Sequence, residues 1–272
     1  MHILGISCFY HDAAAALLQD GSIVAAAQEE RFTRRKNDYS YPSNAIAFCL
    51  GRAGITSRDL DFVVFYEKPL LKFERILLTT LRTFPRSSRT FSEAMILWFQ
   101  DKLWIKDLLR RELGVPAERI LFSEHHVAHA ASAFFCSPFE EAAILTVDGV
   151  GEWTTTTMGR GSASWNGDGH NRIEIQRELH FPHSLGLLYS AFTAWLGFKV
   201  NEGEYKVMGM APYGEPRYQD LVYKLIHVEE DGSFWLDMDY FSYHYSPENT
   251  FNGRFVDVFG PPESRTPSSS RT

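Results

Sequence analysis

The sequence predicts an α/β protein in which one arrangement of strands and helix occurs twice. The order strand, turn, strand, strand, helix begins near Ile3 and again near Ala143. Short apolar runs beside glycine turns are typical of strands, and longer amphipathic stretches are typical of helices. We expect two halves with mixed sheets: residues 1–138 form the first, 139–259 form an incomplete second, and 260–272 form a disordered tail.

Composition narrows the class of protein. The 272 residues are 44% hydrophobic and 22% charged, which is typical of a globular chain. The net charge of -7 argues against nucleic-acid binding, and no apolar run reaches the ~18 residues of a membrane span. Cys8, Cys49 and Cys136 lie among apolar neighbours, so we expect buried, reduced thiols. With no signal peptide evident, we expect a cytoplasmic protein.

The first half opens with a β-meander and continues into a helix. Three apolar runs separated by tight turns predict its strands, at residues 3–7, 13–18 and 22–28. A helix begins at Pro42 and Ser43 and runs to about Arg52, and Gly54 ends it.

The next segment mixes clear elements with an unclear one. Residues 61–66 and 120–122 are predicted strands, and 93–113 is a predicted amphipathic helix. Between them, 67–92 is basic and interrupted by prolines, so we expect irregular structure. The basic runs Arg31 to Lys36 and Lys72 to Arg89 are interpreted from composition as solvated faces.

Two histidines define the most specific local pattern. His125 and His129 are four residues apart in an alanine-rich segment, so a helix places both imidazoles on one face, within reach of a single ion. His126 points about 100° away and is expected to have a packing role. On spacing alone, such a pair is more often structural than metal-binding.

A carboxylate follows at the end of the next predicted strand. Asp148 comes after the apolar run AAILTV and precedes Gly149 and Gly151. This arrangement offers an oxygen ligand and a loop whose amides can approach a phosphate. A simple hairpin turn is the alternative.

The second half continues with strands at 154–161 and 173–179 and a helix at 184–196. Residues 201–214, NEGEYKVMGMAPYG, include Gly203 and Lys206 and suit a triphosphate-binding loop. The alternative is an ordinary junction between a loop and a helix. A hairpin is predicted around Asp231-Gly232.

Taken together, four segments resemble the O-carbamoyltransferases of nodulation-factor and antibiotic tailoring. They are GISCFYHDAAAAL with DGSIVAAAQEERFTRRK, SEHHVAHAASAFF, VDGVGEW, and FPHSLGLLYSAFTAWLGFKVNEGEYKVMGMAPYGEP. The resemblance implies the duplicated, ribonuclease H-like halves of actin, sugar kinases and heat-shock chaperones. It also implies that carbamoyl phosphate and ATP give a carbamoyl-adenylate, whose carbamoyl group moves to a hydroxyl of a small-molecule or glycan acceptor.

The resemblance assigns roles to particular residues. It implies an iron-type metal on His125, His129 and Asp148, although two imidazoles and a carboxylate also suit zinc or manganese. It places Lys36 near ATP, which changes the interpretation of that basic run from surface to functional, and it places Lys206 at the transfer site.

The turn after the first strand carries a further candidate pair. His11 and Asp12 are positioned to orient or deprotonate the acceptor hydroxyl. A turn-stabilising role for either residue is equally compatible with the sequence.

The resemblance implies a longer protein, whose remainder would hold a further aspartate ligand and the domain that makes the carbamoyl-adenylate. We therefore expect a truncated or frame-shifted product, or a fragment that needs a complementary C-terminal chain and does not catalyse the full reaction alone. The alternatives are a non-catalytic nucleotide- or metal-binding remnant and, less favoured, a kinase-like enzyme.

Overall fold

The computed structural model describes residues 1–88, 91, 95, 98, 102–165, 170–246 and 248–263. The chain forms two compact units. The first consists of Met1–Glu74 and Glu93–His129, and the second of Arg75–Ser92 and Ala130–Thr272. The predicted α/β class is confirmed, and the predicted division at residue 138 stays a prediction.

The first unit is built on a mixed five-stranded sheet in the order β3-β2-β1-β4-β5. Strands β1 to β3 form the predicted antiparallel meander, and β4 and β5 are added in parallel. Leu4, Leu17, Val63 and Phe65 fill the core beneath the sheet. The strands are β1 His2–Ser7, β2 Ala14–Gln19, β3 Ser22–Gln28, β4 Phe62–Phe65 and β5 Ile120–Phe122.

The described residues of the first half of the chain include five α-helices. Helix α2 begins where the buried Glu29 carboxylate accepts hydrogen bonds from the backbone amides of Asn44 and Ala45, and it ends at Gly54, whose φ of 65° is left-handed. The helices are α1 Glu30–Thr33, α2 Ser43–Ala53, α3 Pro69–Thr83, α4 Ile105–Leu113 and α5 His125–Phe134.

Helix α3 contradicts two expectations. The segment predicted to be irregular is helical over Pro69–Thr83. Pro69 is compatible with this helix because it stands at the first helical position, where its missing N–H costs nothing. Lys72 and Arg75 are each only 8% exposed, so a solvated face is the wrong description of them. The predicted helix 93–113 is helical at 105–113, while residues 93, 94, 96, 97 and 99–101 lie outside the described residues.

The second half repeats the layout of the first. Its antiparallel sheet has the order β6-β7-β8 and is followed by helix α6, as β1, β2 and β3 are followed by α2. The elements are β6 Glu141–Val147, β7 Thr154–Ser162, β8 Arg172–His180 and α6 Leu185–Trp195.

Except for residues 204–210, the remaining elements pack around a largely aromatic core that includes Leu188, Phe241 and Phe255. The indole of Trp195 donates to the Gly260 carbonyl, and residues 264–272 of the predicted tail lie outside the described residues. The elements are α7 Glu204–Met210, α8 Gln219–Val222, the predicted hairpin β9 Ile226–Val228 and β10 Phe234–Leu236, and α9 Gly253–Phe259.

The cysteines divide into two groups. Cys8 and Cys49 are buried as predicted, but Cys136 is exposed, because it follows the end of α5 rather than lying within it. Within the described ranges, no helix is both long enough and apolar enough to cross a membrane.

Candidate functional site

The two histidines at the start of α5 lie side by side. The Nε2 atoms of His125 and His129 are 3.0 Å apart, and the ring centroids are separated by 4.6 Å. Two imidazole nitrogens on one tetrahedral zinc-like ion, each about 2.0–2.1 Å from it, would be separated by about 3.3 Å. The pair therefore has the spacing of two ligands that share an ion.

The second half of α5 fixes the helix against the sheet. Ala130 and Phe134 pack on Ile144 of β6 in one apolar cluster. Gly161 of β7 makes room for this contact, because a β-carbon there would lie 2.7 Å from the Phe134 ring. Strand β6 ends one residue before Asp148.

The structure brings the three predicted metal ligands together. One ligand atom from each of His125, His129 and Asp148 lies within 4.8 Å of the other two. Two imidazoles and one carboxylate form a donor set suited to zinc, iron or manganese. His126 is 4% exposed and does not belong to this set, in agreement with its predicted packing role.

The Asp148 turn is held by a residue that sequence reasoning missed. The buried Ser184 hydroxyl shares its proton between the carbonyls of Asp148 and Gly149, at 3.0 and 2.7 Å, and accepts from the Leu187 amide. Gly186 lies directly against the turn, since a β-carbon there would be 2.5 Å from the Gly149 nitrogen. A serine before an apolar helical run is an N-cap pattern, but nothing local in the sequence indicates its long-range acceptors.

The amides of the turn are partly engaged by the turn itself. The Gly151 N–H donates to the Thr154 carbonyl at 2.9 Å, and the Asp148 N–H donates to the Thr155 carbonyl at 2.9 Å. The predicted phosphate contact of Gly149 and Gly151 therefore has no support from Gly151, whose amide closes the hairpin. For both glycines the nucleotide role stays a prediction.

The His11 and Asp12 turn has a constrained backbone. Asp12 has a φ of 49°, in the left-handed region, and its carboxylate lies 3.2 Å from Nδ1 of His11. Both side chains are substantially exposed. The contact gives the imidazole a defined orientation, which suits either of the two roles left open by the sequence.

The loop that carries Lys36 is fastened to this turn. The Phe9 amide donates to the Tyr39 carbonyl, and the Ala13 amide donates to the Asp38 carbonyl, each at 2.7 Å. These two bonds bracket His11 and Asp12. The fold of the first unit therefore places Lys36 in the loop that runs beside the two acceptor-side candidates.

Asp38 organises that loop. Its carboxylate accepts from the Ser40 hydroxyl, the Ser40 amide and the Thr33 hydroxyl. These hydrogen bonds, that of the Ser40 hydroxyl first, hold the pKa of Asp38 below its usual value, so the carboxylate is ionised at neutral pH. The sequence pattern did not identify Asp38 as a site residue.

The segment predicted to be a glycine-rich phosphate loop is helical. Lys206 lies on α7, and Gly203 immediately precedes that helix. A β-carbon at Gly203 would lie 2.5 Å from Cβ of Phe198, so close packing accounts for this glycine. The Glu204 carboxylate accepts from the Ser190 hydroxyl at 3.0 Å and fixes the start of α7 on α6. The junction of loop and helix, which the sequence left as an alternative, is thus the correct local structure.

Tyr66 adds a ring contact to the metal-ligand candidates. Its ring meets that of His125 edge-on, with centroids 5.6 Å apart. Burial, and then the neighbouring Glu67 carboxylate, raise the pKa of Tyr66, so the phenol stays neutral and keeps its proton for hydrogen bonding.

Comparisons with known sequences identify the family of the chain. The sequence model described as carbamoyltransferase N-terminus matches residues 2–270. An uncharacterized protein of Synechocystis sp. is 54% identical over 279 residues, covering 100% of this chain and 44% of that protein. The nodulation protein NolNO of Sinorhizobium fredii is 34% identical over 239 residues, covering 85% of this chain and 32% of that protein.

The chain spans less than half the length of these two curated relatives. Among solved structures, it is similar to YeaZ from Pseudomonas aeruginosa, with 15% identity over 66% of each chain and a TM-score of 0.36.

Proposed function

The chain belongs to the carbamoyltransferase N-terminus family, and on this premise we propose that it forms the transfer site for a carbamoyl group. The donor is a carbamoyl-adenylate made from carbamoyl phosphate and ATP, and the acceptor is a hydroxyl of a small molecule or glycan. The observation that carries the proposal is the meeting of His125, His129 and Asp148 within 4.8 Å. These metabolites are available in the cytoplasm, where we place the activity.

The three side chains fit a divalent metal by their chemistry. Neutral imidazoles and an ionised carboxylate leave coordination positions open in a site with three protein ligands. When bound, the ion would supply Lewis-acid stabilisation of charge on a donor oxygen. Ferrous iron is our choice by family resemblance. Ser184 keeps Asp148 in place by holding the two carbonyls of its turn.

Two lysines supply positive charge for the nucleotide. We assign Lys36 and Lys206 to offset the charge of the ATP phosphates and of the leaving adenylate, respectively. Lys36 is held by the loop that Asp38 organises, and Lys206 by a helix whose start is fixed by Glu204. Each lysine therefore projects from a backbone segment with defined side-chain support.

His11 and Asp12 act on the acceptor in this proposal. With Asp12 at its Nδ1, the imidazole of His11 keeps Nε2 as the atom that can take a proton from an acceptor hydroxyl. Asp12 orients the ring and stabilises the imidazolium that results. The backbone hydrogen bonds from the Phe9 and Ala13 amides to the Tyr39 and Asp38 carbonyls keep this turn in place.

The proposal is tested with labelled carbamoyl phosphate, ATP, ferrous iron and a panel of hydroxyl acceptors. One arm contains the 272-residue chain alone, and a second adds the part of the Synechocystis relative outside the matched region. We expect labelled acceptor only in the second arm, and none there when His125→Ala/His129→Ala replaces the wild-type chain.

Other outcomes have distinct meanings. Product from the chain alone would contradict the expectation that it needs a complementary chain. No product in either arm, with ATP and metal still bound, would favour the non-catalytic remnant over the transferase.

A further inference from the structure

A buried ion pair lies in the first unit beside both candidate histidine sites. The ammonium of Lys72, on α3, is 2.6 Å from the carboxylate of Glu67, the second residue after β4. The two residues are 8% and 5% exposed. Removing two charges from water costs several kcal/mol per ion, and this cost offsets much of their attraction. Stabilisation of the fold alone is therefore a weak explanation for such a pair.

Each member of the pair is linked to an aromatic ring that contacts a candidate histidine. Tyr66 immediately precedes Glu67 in the chain, and its ring lies edge-on against His125. On the other side, the ammonium of Lys72 lies 4.9 Å from the centroid of the Tyr10 ring. The Tyr10 ring in turn lies 4.5 Å from that of His11.

These contacts form one continuous series within the first unit. It runs from His125 through Tyr66, Glu67, Lys72 and Tyr10 to His11. Tyr66 and Glu67 are joined by their peptide bond, and the other steps are ring contacts, an ion pair and a cation–π contact.

We infer that the Glu67–Lys72 pair is a positioning element that fixes Tyr66 against His125 and Tyr10 against His11. The inference rests on the proposed function, since it assumes that these two histidines act at the site. Neither Glu67 nor Lys72 touches a reacting atom in this account. They act by restricting the two tyrosine rings, which hold the imidazoles in one orientation.

The sharpest test removes both charges together. Glu67→Met/Lys72→Met retains side-chain volume and leaves no unpaired buried charge, so a purely structural pair predicts a variant at least as stable as the wild type. Lys72→Arg keeps the charge and is the rescue variant. Leu109→Ala, in the core of the same unit, is the control for lost stability without loss of positioning.

Two measurements read the orientation of the histidines. The first is a ¹⁵N-histidine NMR spectrum of the metal-free protein, and the second is a titration with Co²⁺. In the double methionine variant we expect the His125 and His11 signals to move and Co²⁺ affinity to fall by about tenfold, the scale of lost support for a metal ligand. Lys72→Arg and Leu109→Ala should retain the wild-type signals and affinity.

The inference is overturned if the double variant keeps both histidine signals and binds Co²⁺ as tightly as the wild type. Failure of the wild type to bind Co²⁺ would count against the proposed metal site instead. In that case the NMR spectra of the metal-free variants still decide whether the ion pair positions the histidines.

Discussion

Substitution of Ser184 by alanine tests how the fold holds the Asp148 turn. The Ser184 side chain caps α6 by accepting from the Leu187 amide and donates to the carbonyls of Asp148 and Gly149. Loss of the cap costs about 1 kcal/mol. Leaving the half-buried carbonyls of Asp148 and Gly149 without their donor adds about 1–3 kcal/mol. We therefore expect Ser184→Ala to lower the free energy of unfolding by about 2–4 kcal/mol.

The matched control is a second N-cap in the same unit. The Asn252 side chain accepts from the Arg254 amide at the exposed start of α9 and has no contact with the Asp148 turn in the described structure. Asn252→Ala should lose the capping contribution of about 1 kcal/mol and the exposed hydrogen bond from Nδ2 to the Asp239 carbonyl, whose loss costs little because water replaces the donor.

Urea unfolding followed by circular dichroism measures both variants. Ser184→Ala should also weaken Co²⁺ binding, whereas Asn252→Ala should not, because only the first releases the turn that carries Asp148. A loss of stability in Ser184→Ala no greater than that in Asn252→Ala would refute the reasoning.

Three further predictions concern other supports of the site. The pKa of Asp38 is lower in the folded protein than in the unfolded chain, where it is about 3.9. The ionised carboxylate therefore stabilises the fold at pH values above about 3.9, and this stabilisation is lost as the pH falls through the pKa of the folded state. Asp38→Asn should therefore be less stable than the wild type in urea at pH 7, and the difference should narrow below about pH 4. Gly161→Ala should cost about 1–3 kcal/mol in the same assay by pressing on the Phe134 ring, whereas Gly209→Ala, with open space, should not destabilise. Lys206→Met should weaken the binding of AMP, the leaving adenylate, measured by calorimetry without lowering the melting temperature, and unchanged AMP affinity would contradict its assignment.

The sequence predicted correctly those strands and helices that are determined by residues close to one another in the chain. The meander, the helix ended by Gly54 and the histidine helix follow from apolar periodicity and turn residues close in sequence. Helical spacing and a strand end also made His125, His129 and Asp148 candidates, but it is the family resemblance that implies a metal ion on them.

The features that sequence reasoning missed depend on distant partners. Proline interrupts helices but is also common at their first position. The sequence does not distinguish these two roles for Pro69, whereas the fold shows that it starts a helix. Residues 204–210 are helical despite Gly209. The start of this helix is supported by a hydrogen bond from the Ser190 hydroxyl of the preceding helix to the Glu204 carboxylate. Lys72 resembled surface charge in a basic run because its ring partner, Tyr10, lies 62 positions earlier in the chain.

The central claim is that His125 and His129 hold a metal ion together with Asp148. Anaerobic calorimetric titration with ferrous iron tests it directly on the wild type, on His125→Ala/His129→Ala, and on His180→Ala, which removes an exposed histidine outside the donor set. We predict one bound ion for the wild type and for His180→Ala, and an affinity at least about 100-fold lower for the double variant. Equal binding by the double variant and the wild type would contradict the claim.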